Sequence, residues 1–392
     1  MRINTPVRHA LSFNTFRRSA AGGAAYTAIF SVQPGASIGF NKIYDMLEHG
    51  IYNYGAGSTV VGNHVRDSIG QMQAAAIQNF ASSTIIESNQ LDGNNPFIAL
   101  QNASDCQVRG NRGGGISVRT YHAALNTDVI ENLLVSQNFL QCPTGQFWPI
   151  DITLNQPFRK LSILDNTISG GGTHFDLQRG AITVNVTSAS AYLGQELLVR
   201  GNIVDGGASY SLLARRVSSG LIAGNNFKDA WIGGAGDTAV RLFDCDGLKC
   251  HNNHVRDSRE VPVLSRILYA PTSDGNANIE GNFNNISRPA SSSNAFMVLP
   301  DAASPEGNTQ DDLPLSGRFT MSDVDVQNVA HTSLRPGARI RLHPVNKEAW
   351  ALQSGSNRIY VSVISAGTFQ VATSSGTTAG ATGAVFDYTV HQ

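Results

Sequence analysis

The sequence predicts an all-β chain, a right-handed parallel β-helix followed by a small C-terminal antiparallel β-sandwich domain. Three observations carry that reading. A short motif recurs along most of the chain: an apolar residue, two variable residues, an asparagine, one variable residue and usually another apolar residue. The segments between copies are short, β-branched and alternating, as in IDITL (150–154), ITVNV (182–186) and IYVSV (359–363). Glycine and asparagine punctuate them, and no run shows the three-and-four spacing of an amphipathic helix.

The motif occurs eleven times, with its asparagine at Asn14, Asn41, Asn63, Asn89, Asn111, Asn138, Asn166, Asn202, Asn225, Asn253 and Asn282. The residue three places earlier is Leu11, Ile38, Val60, Ile86, Val108, Val135, Ile163, Val199, Ile222, Cys250 or Ile279. Intervals run from 22 to 36 residues, too short for a domain and suited to one coil of a solenoid. Coils made of short strands stack at the ordinary strand spacing of about 4.8 Å, so eleven of them stand about 50 Å tall. At a sharp bend between two sheets, some backbone groups cannot reach the strand ladder. An Asn amide carries donors and an acceptor and can bond the coils above and below, which predicts a column of stacked asparagines.

The solenoid signal assigns residues 1–288 to the trunk and ends there. Residues 289–317, rich in Ser, Pro and Asp, read as a linker. Alternation returns without the motif in 318–392, in ARIRLHP (338–344), RIYVSVISAGTFQVATS (358–374) and AVFDYTV (384–390), which predicts the C-terminal β domain with a capping or assembly role. A coil motif as early as LSFNTF (11–16) leaves the first coil's strand edges open. The expectation is that an N-terminal part is missing or that another subunit covers this end.

Composition narrows the function. Among 392 residues, 28 basic and 29 acidic side chains give a formal charge of −1, and only 15% of residues are charged. A polyionic or disordered chain is excluded, and no basic block argues for nucleic acid. Cys106, Cys142, Cys245 and Cys250 have neither zinc spacing nor a disulfide-framework density and are read as buried free thiols. The N-terminal stretch lacks the apolar run of a secretion signal, and nowhere are there the roughly 18 consecutive apolar residues of a membrane span.

Taken together, the Asn coils and the C-terminal stretch YVSVISAGTFQVATSSGTTAGATGAVFDYTV (360–390), with its V-S-x-x-x-A-G-T-F and terminal F-D-Y, resemble a bacteriophage tailspike or tail-fibre depolymerase of pectate-lyase-like architecture. The resemblance implies a homotrimer on a virion tail, in contact with other tail proteins, folded in the host cytoplasm and acting at the bacterial surface. Its implied partner is a capsule or O-antigen polysaccharide, which it recognises and cleaves. No motif transfers catalytic residues.

Site candidates follow from stacking, since equivalent positions of successive coils share a surface. Counting from each asparagine places Arg119, Tyr121, His122, Trp148, Asp151, His174, Asp176, Arg179, Tyr210, Arg215, Trp231, Asp237 and Arg241 in one broad sector of the central coils. Eight places after Asn111, Asn166 and Asn202 stand Arg119, His174 and Tyr210; thirteen after Asn138 and Asn166 stand Asp151 and Arg179. In IDITL the isoleucines face the core, so Asp151 and Thr153 face outward, onto a surface. His174, Asp176 and Arg179 fall in the longest interval, and long loops on rigid scaffolds commonly carry sites. Trp148 and Trp231 offer ring faces to pyranoses, or close gaps in coil packing. Glycoside hydrolysis needs two carboxylates, for which Asp151 and Asp176 are the pair, with His174 beside them. β-Elimination instead uses a cation, Arg119 or Arg179, with His174, Tyr121 or His122 as base. Substrate contacts are expected from Arg119, Tyr121, Trp148, Arg179, Tyr210, Trp231 and Arg241. No coil clusters three carboxylates, and neither metal nor cofactor is expected. A binding-only spike and a purely structural trunk are the alternatives to an enzyme. Asp244 and Asp246, in VRLFDCDG, read as turn residues.

Overall fold

The computed structural model describes residues 9–18, 27–67, 75–93, 97–101, 104–119, 129–142, 149–171, 179–187, 194–206, 210–230, 238–259, 262–287, 297–300, 308–311, 316–322, 326–330, 339–354, 358–365, 368–374 and 383–391. Contacts divide the chain into two compact units, one of Met1–Ala290 with Ala295–Gln310 and the other of Ser291–Asn294 with Asp311–Gln392.

The first unit is a parallel β-helix. Its first sheet has eleven strands stacked in chain order, from Ala10–Ser12 to Glu280–Asn282. The third likewise has eleven, from Thr27–Ser31 to Met297–Val298. The second consists of four strands, Thr15–Arg17 to Gln90–Gly93, and seven more, Phe139–Cys142 to Thr309–Asp311. Arg112 joins the two groups through single bridges to Gln90 and Phe139. The stretch 289–317, expected as a linker, contributes Met297–Val298 and Thr309–Asp311 to these sheets.

The motif's apolar residues stack into the core. Ile38, Val60, Ile86, Val108 and Val135 are Cα partners in successive strands, and each is at most 2% exposed. Removing each such side chain from water stabilises the trunk by about 1.5–3 kcal/mol.

The asparagine column forms as well. From Asn14 through Asn41, Asn63, Asn89, Asn111, Asn138, Asn166, Asn202, Asn225 and Asn253, each residue donates its backbone N–H and its Nδ2 to the Oδ1 of the next, at 2.8–3.1 Å. The next member after Asn253 is Asn284, however, and not the expected Asn282. Strand register pairs Cys250 with Gly281, which puts Asn284 three places on and Ile286, fully buried, in the following apolar slot. Asn282 instead bonds Glu280 Oε1 at 2.7 Å. Asn308 extends the column further, accepting from the Asn284 N–H at 2.8 Å.

The residue preceding each column member occupies the left-handed region. Phe13, Phe40, Gly62, Ser88, Gly110, Gln137, Asp165, Gly201, Gly224, Asn252 and Phe283 have φ between 53° and 68°. This conformation turns the chain from the first sheet into the second and explains why glycine so often precedes the motif's asparagine.

The second unit holds two three-stranded antiparallel sheets. One orders Ser316–Thr320, Val385–His391 and Arg339–Pro344; the other, Val326–Ala330, Thr368–Thr373 and Ile359–Ser365. Phe319, Val329, Phe369, Val371, Phe386 and Tyr388, from both sheets, share one core, which makes the pair a sandwich. A helix absent from the sequence reading, Lys347–Ser354, starts where Asn346 Oδ1 accepts the Ala349 N–H at 3.0 Å and buries Ala349 and Leu352.

Candidate functional site

Strand alternation on the third sheet separates a core row from an outer row. Ile98, Ile116, Ile150 and Ile182 are mutual Cα partners pointing inward, each fully buried. One residue on, the outer row reads Tyr52, Gln78, Ala99, Ser117, Asp151, Thr183, Leu213, Arg241 and Tyr269 in continuous register. A parallel row two residues further along the strands passes through Arg119, Thr153, Asn185, Arg215 and Phe243.

Asp151 stands at the centre of the outer row but does not lie open on a surface, as the sequence suggested: it is 2% exposed. Arg179 Nη1 donates to its Oδ1 at 2.5 Å and to Thr153 Oγ1 at 2.7 Å, while Thr153 Oγ1 donates to the same Oδ1 at 2.7 Å. A carboxylate removed from water needs these partners, and they cover it. Thr183, beside it in the row, is fully buried and bonds the Gly180 backbone.

The fixed count from each asparagine aligns residues imperfectly, because coil lengths differ. Arg119 pairs with Thr153 and Tyr210 with Gly180, so Arg119 and Tyr210 are not neighbours in the ladder. Tyr210, offered as a sugar contact, is only 5% exposed and belongs to the trunk core. Burial lifts its phenol above the usual range, with Arg241 opposing. Arg179 and Asp151 are the pair that the count and the structure both bring together. His174, Asp176, Tyr121, His122, Trp148, Trp231 and Asp237 lie outside the described residues.

Arg241, next to last in the row, has an aromatic and ionic setting. Its Cζ lies 4.1 Å from the ring centroid of Tyr269 and 4.5 Å from that of Phe243. Its Nη2 donates to Asp274 Oδ2 at 2.5 Å. Asp244, in a left-handed bend as its turn reading implies, sits 3.6 Å from Arg215 Nε and 3.7 Å from Arg216 Nε.

At the other end of the same face the structure reveals residues that the sequence reading passed over. Phe30 stacks on Tyr52 with centroids 5.5 Å apart, and Tyr54 on Phe80 at 4.7 Å. The two Tyr hydroxyls lie 3.1 Å apart, and His49 packs at 4.6 Å from Tyr52. Phe30 and Tyr54 remain nearly half exposed. The signal was present in FS (30–31), YNY (52–54) and NF (79–80), aromatics on or just past the ends of aligned strands, but strand register was needed to collect them. Between this cluster and Arg241, Gln78 Nε2 and Asn185 Oδ1 are buried without a hydrogen-bond partner. Among the described residues, no group of three or more His, Cys, Asp or Glu is placed to hold a metal ion.

No protein-family model matches the chain, and no curated protein does. It is similar to several phage tailspikes of known structure. The tailspike of Pseudomonas phage phi297 aligns with a TM-score of 0.47 and 11% identity over 91% of this chain and 67% of its own. Tailspike protein 3 of bacteriophage CBA120 gives 0.40 and 10% over 78% and 52%. A mutant tailspike of E. coli bacteriophage HK620, in complex with a pentasaccharide, gives 0.40 and 13% over 93% and 70%.

Proposed function

We propose that the chain acts as a phage tailspike that binds a bacterial surface polysaccharide, capsule or O-antigen, along the outer face of the third sheet and shortens it by glycoside hydrolysis. The observation that supports this most is the setting of Asp151, an oriented carboxylate midway along a continuous row that also carries Tyr52, Gln78, Ser117, Thr183, Arg241 and Tyr269. A polysaccharide is long and rich in hydroxyls, and a row of side chains at strand spacing along a rigid scaffold suits it better than a closed pocket does. The C-terminal segment's resemblance to tailspikes adds to this reading.

In hydrolysis, Asp151 serves as the carboxylate that activates water or attacks the anomeric carbon, with Arg179 and Thr153 fixing its orientation. Asp176 donates the proton to the leaving oxygen. Homotrimer assembly on a virion belongs to the same proposal.

The test is to incubate the purified chain with a panel of bacterial capsular and O-antigen polysaccharides. New reducing ends without the ultraviolet absorbance of an unsaturated uronate are expected. Asp151→Asn should lower the rate at least about 100-fold while circular dichroism stays unchanged. An unsaturated product would replace hydrolysis by elimination, and full activity of Asp151→Asn would remove Asp151 from the chemistry. A panel that is bound but left intact would leave an adhesin.

A further inference from the structure

We infer that the aromatic cluster on the first coils of the third sheet is a separate subsite of the glycan face, seating an uncharged pyranose four strand spacings, about 19 Å, from Asp151. This rests on the reading of that face as a glycan site and names what one further stretch of it recognises.

Four rings build the cluster. Phe30 and Tyr52 are Cα partners in the outer row that continues through Gln78, Ala99 and Ser117 to Asp151. Tyr54, two places after Tyr52, stacks on Phe80 with the ring planes 14° apart, and Phe30 and Tyr52 are also 14° apart. Phe30 and Tyr54 are inclined at 56° with centroids 5.9 Å apart, so the two stacked pairs meet at an angle. Phe30 and Tyr54 nevertheless stay 46% and 45% exposed. Rings packed against one another in this way are positioned before a ligand arrives, and their uncovered faces complement the C–H face of a pyranose.

Polar groups in and beside the cluster favour a sugar over a purely apolar partner. The Tyr52 and Tyr54 hydroxyls share one bond at 3.1 Å, which uses one of their two protons and leaves the other to donate outward. Burial, and then the bond with Tyr54, lift the Tyr52 phenol above its usual range, so it keeps its proton. Next to Tyr52 in the row, Gln78 is only 7% exposed and its Nε2 has no hydrogen-bond partner, a donor that a ring-bound sugar's oxygen would satisfy. An apolar contact between two copies of the chain would leave these groups unmatched.

Charge specifies the sugar. Burial pulls His49, 4.6 Å from Tyr52, below its ordinary value, with its Ala75 carbonyl bond and Glu48 opposing, so the imidazole is neutral at pH 7. The charge acting on both His49 and Tyr52 is that of Glu48, which repels a uronate or a phosphate.

The experiment uses the full chain carrying Asp151→Asn, to halt turnover, and a panel of bacterial capsular and O-antigen polysaccharides. Fragments of a polymer that binds are made by partial acid hydrolysis, sorted by size and titrated by calorimetry. Affinity is expected to rise at least about tenfold once fragments are long enough to reach from Asp151 to the rings, and Phe30→Ala with Tyr54→Ala should lose that rise. Tyr54→Phe, which keeps the ring and loses the hydroxyl, should fall between. Saturation-transfer NMR should place the C–H protons of one uncharged sugar of the repeat against aromatic side chains, a signal lost in the double variant. Circular dichroism and sedimentation velocity should match the parent. A length dependence shared by parent and double variant would overturn the inference and leave the glycan face standing, and so would transfer to a charged sugar alone. A double variant that changes assembly and keeps its affinity for long fragments would instead make the rings a contact between copies. If no polysaccharide is bound at any length, the glycan reading itself falls, and the subsite with it.

Discussion

Arg179 bonds the Asp151 carboxylate at 2.5 Å although the two are not ladder partners: Asp151 pairs with Thr183 in the strand register, and Arg179 precedes the next strand. The ion pair thus links neighbouring coils through side chains, beside the backbone ladder. Only 3% of the Asp151 side chain and 20% of that of Arg179 remain exposed, so the attraction is poorly screened and the cost of breaking it falls on a buried carboxylate.

Removing the cation should therefore hurt more than neutralising the anion. Arg179→Met is expected to cost about 3 kcal/mol of stability, and Asp151→Asn less, because an amide at that place still accepts from Thr153. Urea midpoints of the two variants test this. An Arg179→Met chain as stable as the parent would show that the pair contributes nothing to the fold.

The asparagine column makes a second prediction. Asn138 donates to Asn166 Oδ1 and to the Val108 carbonyl, and accepts from Asn111. Asn138→Ala strands a buried carbonyl and amide groups in both adjacent coils, at about 1–3 kcal/mol for each unsatisfied group. Asn14→Ala, at the end of the column, loses partners on one side only and should cost less. Denaturant titrations of the two variants should differ by at least about 2 kcal/mol.

Bend geometry gives a third. Gly224 has φ +61° with nothing within 4 Å of where a Cβ would stand. Gly224→Ala then isolates the backbone cost of the left-handed region, about 1–2 kcal/mol. Gly224→Asn should cost less, since asparagine tolerates this conformation and Asn252 occupies the same place in the next coil. Equal melting temperatures for the two variants would count against this account of the glycine-asparagine motif.

Acid sensitivity supplies the fourth. Burial pushes the Asp257 carboxyl up, but the Arg259 side chain and the N–H groups of Leu264 and Val263, at 2.6–2.8 Å, more than reverse this and hold it below its ordinary value. A folded pKa depressed below the unfolded value of about 3.9 gives stability that is present above that value and is lost as pH falls through the folded one. Below about pH 4 the parent should therefore lose melting temperature more steeply than Asp257→Asn. Parallel pH profiles would refute the linkage.

Thiol chemistry at Cys106, Cys245 and Cys250, by contrast, should be silent in the native state at neutral pH. Cys106, Cys245 and Cys250 are buried and free, with thiols pushed up by burial to about 11, about 12 and about 12. A thiolate reagent at pH 7 is expected to label these three only after denaturation.

Much of the fold was legible because it is local and repeated. An apolar residue three places before an asparagine needs only a neighbouring coil to make sense, and nearly a dozen copies announce their own stacking. Where the motif became ambiguous, in IEGNFNNI (279–286), one sequence allows two asparagines, and only the pairing of Cys250 with Gly281 selected Asn284. The helix at Lys347–Ser354 escaped notice because its Asn cap lies in a stretch otherwise read as strand and loop.

The candidate site was less legible. The sequence alone determined the solenoid, its bends and the inward or outward sense of residues such as Ile150 and Asp151, since these follow from periodicity and the chemistry of individual side chains. Only the tertiary structure decided which outward residues meet: that Arg179 covers Asp151, that Tyr54 stacks on Phe80, and that Arg241 sits beside Tyr269 and Asp274. The reason is physical. Intervals of 22 to 36 residues place the extra length in connections whose path no repeat constrains, so lateral neighbours are set by strand register and side-chain reach rather than by counting along the chain.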